Sequence, residues 1–375
     1  MQIRSWPVLA LSLAAGTAWS QVAPEALLDW GNAGDTRLMV SGALDIGYTR
    51  RGNGNGAVPD RGHDDTLQSA AGSGGTHVGL DFSHALGEST RFIASVEYGL
   101  NLDTDRDAGS GGDTVYFRHG YLGVSGPLGT LLFGTLDGAR ATVIKTYDPF
   151  GGYSVANAGS IQLLTTRADN AVAWVSPAWK GLQATLAYTP DLFGASTPAA
   201  RSPVYAVKLD YARGALSLSY DHEEQWWNSM PGYSRLTLNL VGASYDFGPI
   251  KMMGFYEHTD MAKPFAVAAL GFYDDHDGYG LGATIPVGAS GLAKVGWGRR
   301  DSATIGNRCD KYGVGYAHML GQRTTLYADY ARIDNDRGGT CTIAYSNEQT
   351  SNDLGRGDAG GYGTEGLDLG VVYRF

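Results

Sequence analysis

The sequence predicts an all-β protein: a transmembrane, antiparallel, up-and-down β-barrel of about sixteen strands. Three observations carry that expectation. Segments of about ten residues alternate apolar and polar side chains from residue 37 onward. Short turns between them alternate with long polar loops, as when one rim of a barrel is trimmed and the other elaborated. The face opposite the apolar one carries Asp, Lys, Ser, Thr, Glu and Gly in nearly every strand. A soluble sandwich would instead bury large aliphatic residues against a second sheet, whereas in lipid a closed sheet with its grease outside leaves no unpaired edge.

The chain opens with "MQIRSWPVLALSLAAGTAWS", in which a basic Arg4 precedes an apolar run from Val8 to Ala15 and the small residues Ala18 and Ser20. Residues 1–20 therefore read as a secretory signal peptide, because a membrane anchor needs about 18 to 20 apolar residues in a row. The mature barrel is assigned to 21–375. With 38 acidic against 28 basic residues and a net charge of −10, an exported chain is a poor nucleic-acid partner. Its 55 glycines and 22 tyrosines, without a later run long enough for a spanning helix, suit exported β structure.

The strands follow in order. Residues 37–49 lead into a Gly- and Asp-rich loop ending near 75. Residues 76–84 and 90–102 flank the turn "ALGES", with Phe92, Ala94, Val96, Tyr98 and Leu100 opposite Arg91, Ser95, Glu97 and Asn101. Residues 115–125 and 130–136 flank "GPLG". A long loop, 137–166, then precedes 167–175 and 182–188, which flank "SPAWKG". Residues 204–211 and 216–221 flank "ARG", and 236–247 and 250–258 flank "GP". Residues 278–285, 293–300, 312–318 and 324–333 complete the series before the last strand, "EGLDLGVVYRF".

Alternation is cleanest in "YAVKLDY", where Tyr205, Val207, Leu209 and Tyr211 oppose Ala206, Lys208 and Asp210. It breaks near Leu240 and Val241, where either a bulge or an apolar inner face would account for the switch. In the last strand Leu367, Leu369, Val371, Tyr373 and Phe375 share one face, and Val372 is out of step. Pairing of that strand with the first would close the cylinder.

Cys309 and Cys341 lie in polar, glycine-flanked segments of an exported chain, so they are expected to form a disulfide. Closing a loop of about 30 residues stabilises by roughly 3 to 4 kcal/mol in the chain-entropy model; a zinc site needs more ligands. Other signals carry less. "DTDRDAGSGGDT" at Asp103 has Ala108 where an EF-hand needs Gly and no closing Glu. Asp274, Asp275 and Asp277 read as a solvated acidic loop, and "GRGD" ending at Asp358 arises easily in such a composition. "GYGLGA" and "GVGYAH" are strand glycines and no dinucleotide fingerprint, since no helix follows. Trp226 and Trp227 suit an aromatic girdle at the membrane rim, or a loop packed on the trimer, better than a sugar platform. No Ser and His spacing singles out a lipase-like site.

"RLMVSGALDIGY", "YLGVSGPLGTLLFG", "YDPFGG", "DNAVAWVSPAWKGLQATLAYTP" and the terminal Phe375, taken in this order, resemble the trimeric sixteen-stranded general porins of Gram-negative outer membranes, the betaproteobacterial branch most closely. The resemblance implies a homotrimer in outer-membrane lipid and lipopolysaccharide, and Phe375 as a signal read by the barrel-assembly machinery. It implies a third external loop folded into each barrel, with acidic loop residues facing Lys and Arg on the wall.

This chain departs from that pattern. Ala43, His77, Asp81, Thr135 and Ala173 stand where wall bases are common, although Arg167 is retained; residues 150–166 of the loop carry no charge. The loop residues expected at the narrow point are Arg140, Lys145, Tyr147, Asp148, Phe150 and Tyr153, and the wall residues Arg37, Asp45, His77, Asp81, Arg91, Glu97 and Arg167. A weakly charged, partly aromatic eyelet with modest ion selectivity follows; a shifted loop would instead bring Arg37, Asp45, Arg91 and Glu97 to the narrow point. The functional expectation is a passive channel for small hydrophilic solutes and ions, with no catalysis, cofactor or metal. The alternatives are a substrate-specific porin for a sugar or small organic acid and, from another class, an adhesin or structural barrel with a plugged lumen.

Overall fold

The computed structural model describes residues 28–29, 35–53, 63–66, 72–100, 115–162, 167–192, 201–227, 234–261, 275–302, 308–337, 339, 341–343 and 363–375. The signal segment 1–20, the acidic stretch at Asp103, Asp274, the "GRGD" tetrapeptide and the Trp227 side chain lie outside the described residues.

Among the described residues, sixteen long strands follow one another: β1 (Thr36–Gly52), β2 (His77–Ala85), β3 (Arg91–Leu100), β4 (Val115–Gly126), β5 (Gly129–Asp137), β6 (Arg167–Val175), β7 (Leu182–Thr189) and β8 (Val204–Arg213). The second half comprises β9 (Leu216–Trp227), β10 (Ser234–Asp246), β11 (Lys251–Met261), β12 (His276–Val287), β13 (Gly291–Ser302), β14 (Arg308–Met319), β15 (Thr324–Asp336) and β16 (Glu365–Arg374). Two short strands, Leu28–Asp29 and His63–Thr66, pair with β1.

Each long strand pairs antiparallel with the next, and β16 returns to β1 with Arg374 opposite Ala43 and Glu365 opposite Gly52. The terminal residue completes the seam: Gly42 N donates to Phe375 O at 3.0 Å and Phe375 N to Gly42 O at 3.1 Å. The sheet is thereby a closed cylinder, and no long strand is left with a bare edge.

Side chains sort by parity, because successive residues of a strand point to opposite faces. On β8, Tyr205, Val207 and Leu209 are 52, 38 and 39 % exposed on the outside, while Lys208 is 3 % exposed on the inside. Leu44, Ile46, Leu122, Phe133, Leu281, Val314 and Leu369 continue the outer apolar belt. The rings of Tyr188, Tyr205 and Trp226 cluster on that outer face, at 4.7 and 5.5 Å between successive centroids, which agrees with the girdle reading.

The parity break on β10 has a definite cause. The register from Leu236 to Asp246 runs unbroken against both neighbours, so there is no bulge. Leu236, Leu238 and Leu240 all point inward and are at most 1 % exposed. Irregularities do occur elsewhere, between Glu97 and Tyr98 and between Gly134 and Leu136.

A charge on the outer stripe tests this geometry. Leu209→Arg is expected to destabilise the barrel by about 2 to 4 kcal/mol in denaturant titrations from lipid bilayers. Ala206→Ser, one position out of phase, is expected to leave the midpoint within error.

Candidate functional site in the barrel lumen

The long connection from β5 to β6 begins at Gly138 with a helix, α1 (Ala139–Thr146), and later makes a short 3₁₀ turn, Ala158–Ile161. Eight residues are too few for a helix to hold by itself, so packing must supply its stability. Val143, Ile144 and Tyr147 supply that packing against Leu238, Leu240 and Phe255, with Ala158 completing the cluster. The apolar inner face of β10 is therefore the bed of the loop, and this explains its departure from polar-inside alternation.

Beside that bed, with Glu257 on β11 opposite Leu240, lies an ion pair out of contact with water. Arg140 donates from Nε to Glu257 Oε2 at 2.9 Å and from Nη2 to Glu257 Oε1 at 2.5 Å, and His276 Nε2 lies 3.2 Å from the same carboxylate. Arg140 and Glu257 side chains are 3 and 0 % exposed. Removing one partner of such a pair leaves a buried charge uncompensated, at a cost of about 3 to 5 kcal/mol. The backbone N–H of Arg140 also donates to Glu223, and the Tyr147 hydroxyl lies within hydrogen-bond distance of Ser217 and Ser219.

The tip is organised by Asp148, whose two oxygens accept from the N–H groups of Phe150 at 2.8 Å and Ala158 at 2.7 Å. Complete burial pushes its pKa up to about 6, against the pull of those hydrogen bonds and of Lys311 and Lys294. Val155 N donates to Asp368 on β16, Lys311 on β14 donates to Ser160, and Gln162 donates to the carbonyl of Arg299 on β13. The loop thus meets the inward side of half the strands in the cylinder.

Glycines on the wall make room for it. A Cβ at Gly242 would overlap the Tyr147 ring, one at Gly282 the Pro149 ring, and those at Gly298 and Gly313 would press on Ala158 and Ala156. The alternating glycines of "GYGLGA" and "GVGYAH" are thus a smooth surface for close backbone approach. The expected disulfide joins Cys309 of β14 to Cys341, in a buried cluster with Phe150, Val155, Ala156, Ile161, Ile333 and Ile343. The segment after β15 is thereby tied over the loop tip.

Several expected eyelet residues are elsewhere. Tyr147 and Phe150 are 1 and 5 % exposed and bind the loop to the wall; they do not line open water. Arg140 and Asp148 are likewise buried, because each is consumed in holding the loop. Lys145 and Tyr153 remain half-buried, the ammonium donating to the Tyr153 hydroxyl and standing 4.5 Å from the ring centroid. Arg37 is half-buried on the inward parity of β1.

On the wall, Asp45 is spent on the seam, accepting from Ser73 and Tyr327. His77 lies 3.9 Å from Glu97, which pairs with Arg118 at 2.5 Å. Arg91 donates to Ser83, Asp81 faces Ser95 across β2 and β3, and Arg167 lies 3.9 Å from Asp137. Parity alone could have added Lys208, Asp210 and Glu223, which the sequence places on the polar faces of β8 and β9. Arg118, beside the β3–β4 irregularity, carried no such signal.

Beside the loop a cavity of about 180 Å³ opens against β4 to β9, bounded by His119, Tyr121, Asp137, Thr142, Lys208 and Glu223 and otherwise mainly by small apolar side chains.

The Gram-negative porin family profile matches residues 8–338. An outer membrane porin protein of Bordetella pertussis is 26 % identical over 293 residues, covering 68 % of this chain and 75 % of its own. Outer membrane porin protein 32 of Delftia acidovorans is 26 % identical over 213 residues, covering 56 % of this chain and 57 % of its own. Among solved structures, the anion-selective porin from Comamonas acidovorans superposes with a TM-score of 0.72 at 21 % identity, over 91 % of this chain and all of that one. A trimer form of OmpT from Vibrio cholerae gives 0.64 at 17 %, also over 91 % of this chain and all of that one.

Two predictions concern the loop. Arg140→Ala is expected to loosen it by about 3 to 5 kcal/mol, read as a lower unfolding midpoint and noisier channel currents. For Asp148 the folded-state pKa lies above the ordinary 3.8, so its contribution to stability is greatest below about pH 4 and is lost as pH rises to about 6. Relative to Asp148→Asn, the wild-type protein is expected to lose about 3 kcal/mol across that window in pH-dependent unfolding.

Proposed function

The chain belongs to the Gram-negative porin family and is an outer-membrane diffusion channel and no enzyme; we propose that residues 137–166 form its constriction loop and that small hydrophilic solutes and ions pass between that loop and the wall of β2 to β8. The single observation that carries this reading is the bonding of the loop to inward-facing side chains of β9 to β16, from Ser217 to Asp368. A segment so held on one side of the lumen leaves the other side open. Passage is then passive, limited by size and by the field of the lining charges.

The fold of the Comamonas and Vibrio proteins and the trimer form of the latter support a homotrimer here. The anion selectivity named for the Comamonas protein is not extended to this chain, which has His77, Asp81 and Ala173 at wall positions where the resemblance to general porins implies bases. Residues 1–20 are proposed as the export signal and Phe375 as the mark recognised during barrel assembly.

Reconstitution of purified protein into planar bilayers tests the proposal. Ohmic currents appearing in groups of three equal steps are expected; a protein that inserts without conducting would favour a plugged structural barrel.

A further inference from the structure

We propose that the open passage beside the loop prefers cations and retains organic cations that carry an apolar body. This deepens the channel reading and rests on it. The first observation is the order of charges along the wall. Two ion pairs on the inward faces of β3 to β6 share one order, the carboxylate more exposed than its base: Glu97 is 18 % exposed against 6 % for Arg118, and Asp137 51 % against 6 % for Arg167. A solute in the lumen meets the acid first and the base at greater distance. Interaction energy falls with separation, and low-dielectric walls focus the nearer charge.

The second observation is the surface beside Asp137. Leu132, Ala171, Ala173, Val175, Ala187 and Val204 line the cavity of about 180 Å³ from the inward faces of β5 to β8. Inward positions of a water-filled barrel are ordinarily polar. On β10 the exception is covered by α1; here the loop residues at the cavity are Gly138, Ala139 and Thr142, at its margin. Apolar area left to water costs about 25 cal/mol per Å², and a solute with a hydrocarbon or aromatic body would recover it. A dry apolar cavity of about 150 Å³ is enough for benzene. Asp137, half-exposed at the edge, is positioned for an ammonium head.

The test uses the purified protein in planar bilayers, with benzylammonium and benzoate as probes of one shape and opposite charge. Under a KCl gradient the reversal potential is expected on the K⁺ side. Benzylammonium is expected to block the current saturably, with benzoate weaker by about fivefold or more. Asp137→Asn is expected to weaken the benzylammonium block and leave the response to benzoate unchanged. A reversal potential on the Cl⁻ side, equal block by both probes, no saturable block by benzylammonium, or block indifferent to that substitution would overturn the inference while leaving a conducting porin. Loss of all conductance in the wild-type protein would overturn the channel reading and this inference with it.

Discussion

Closure of one sheet in lipid is the constraint from which the rest follows. With no water in the hydrocarbon to satisfy N–H and C=O groups, every strand must be paired on both sides. The seam at Gly42 and Phe375 meets that demand, and Thr49, Asp368, Asp45 and Tyr327 pair just inside it. Once the sheet is closed, period-two alternation divides the side chains into an outer apolar set and an inner set that must be either hydrated or satisfied by partners.

The loop resolves that inner problem for half the cylinder. Over β10 and β11 it covers leucines and Phe255, and over β12 to β14 it lies on glycine rows that admit its backbone. Its charged residues serve the same end. Arg140 is tied to Glu257 on the wall, and Asp148 is tied within the tip, so neither is offered to a passing solute. The other half of the lumen, along β2 to β8, carries the groups that water and solutes can reach. A single asymmetric insert thus packs against one half of the interior, and in the function proposed above solutes pass along the other half.

The aromatic residues Tyr147 and Phe150 of the loop face the wall for a related reason. Phe150 opens the uncharged tract and Tyr147 lies just before it, and a loop held inside a barrel also needs adhesive contact with the wall, which these two rings supply. Composition does not say which edge of the loop faces water. The same limit hid the uneven exposure of the wall charges: the difference between Asp137 and Arg167 depends on packing against neighbours far away in the chain.

The sequence by itself determined the strand order, the number of strands, the orientation of the oily stripe and the cysteine pairing. Each is local or nearly so: alternation is a property of ten adjacent residues, and two cysteines of an exported chain have only each other. The sequence also registered an anomaly at Leu240 without its cause. Only the tertiary structure decided that cause, the bed of the loop, and which lumen residues are sequestered and which are free to face solutes. Those outcomes depend on contacts such as Arg140 with Glu257 and Val155 with Asp368, between residues 117 and 213 positions apart, which no local pattern encodes.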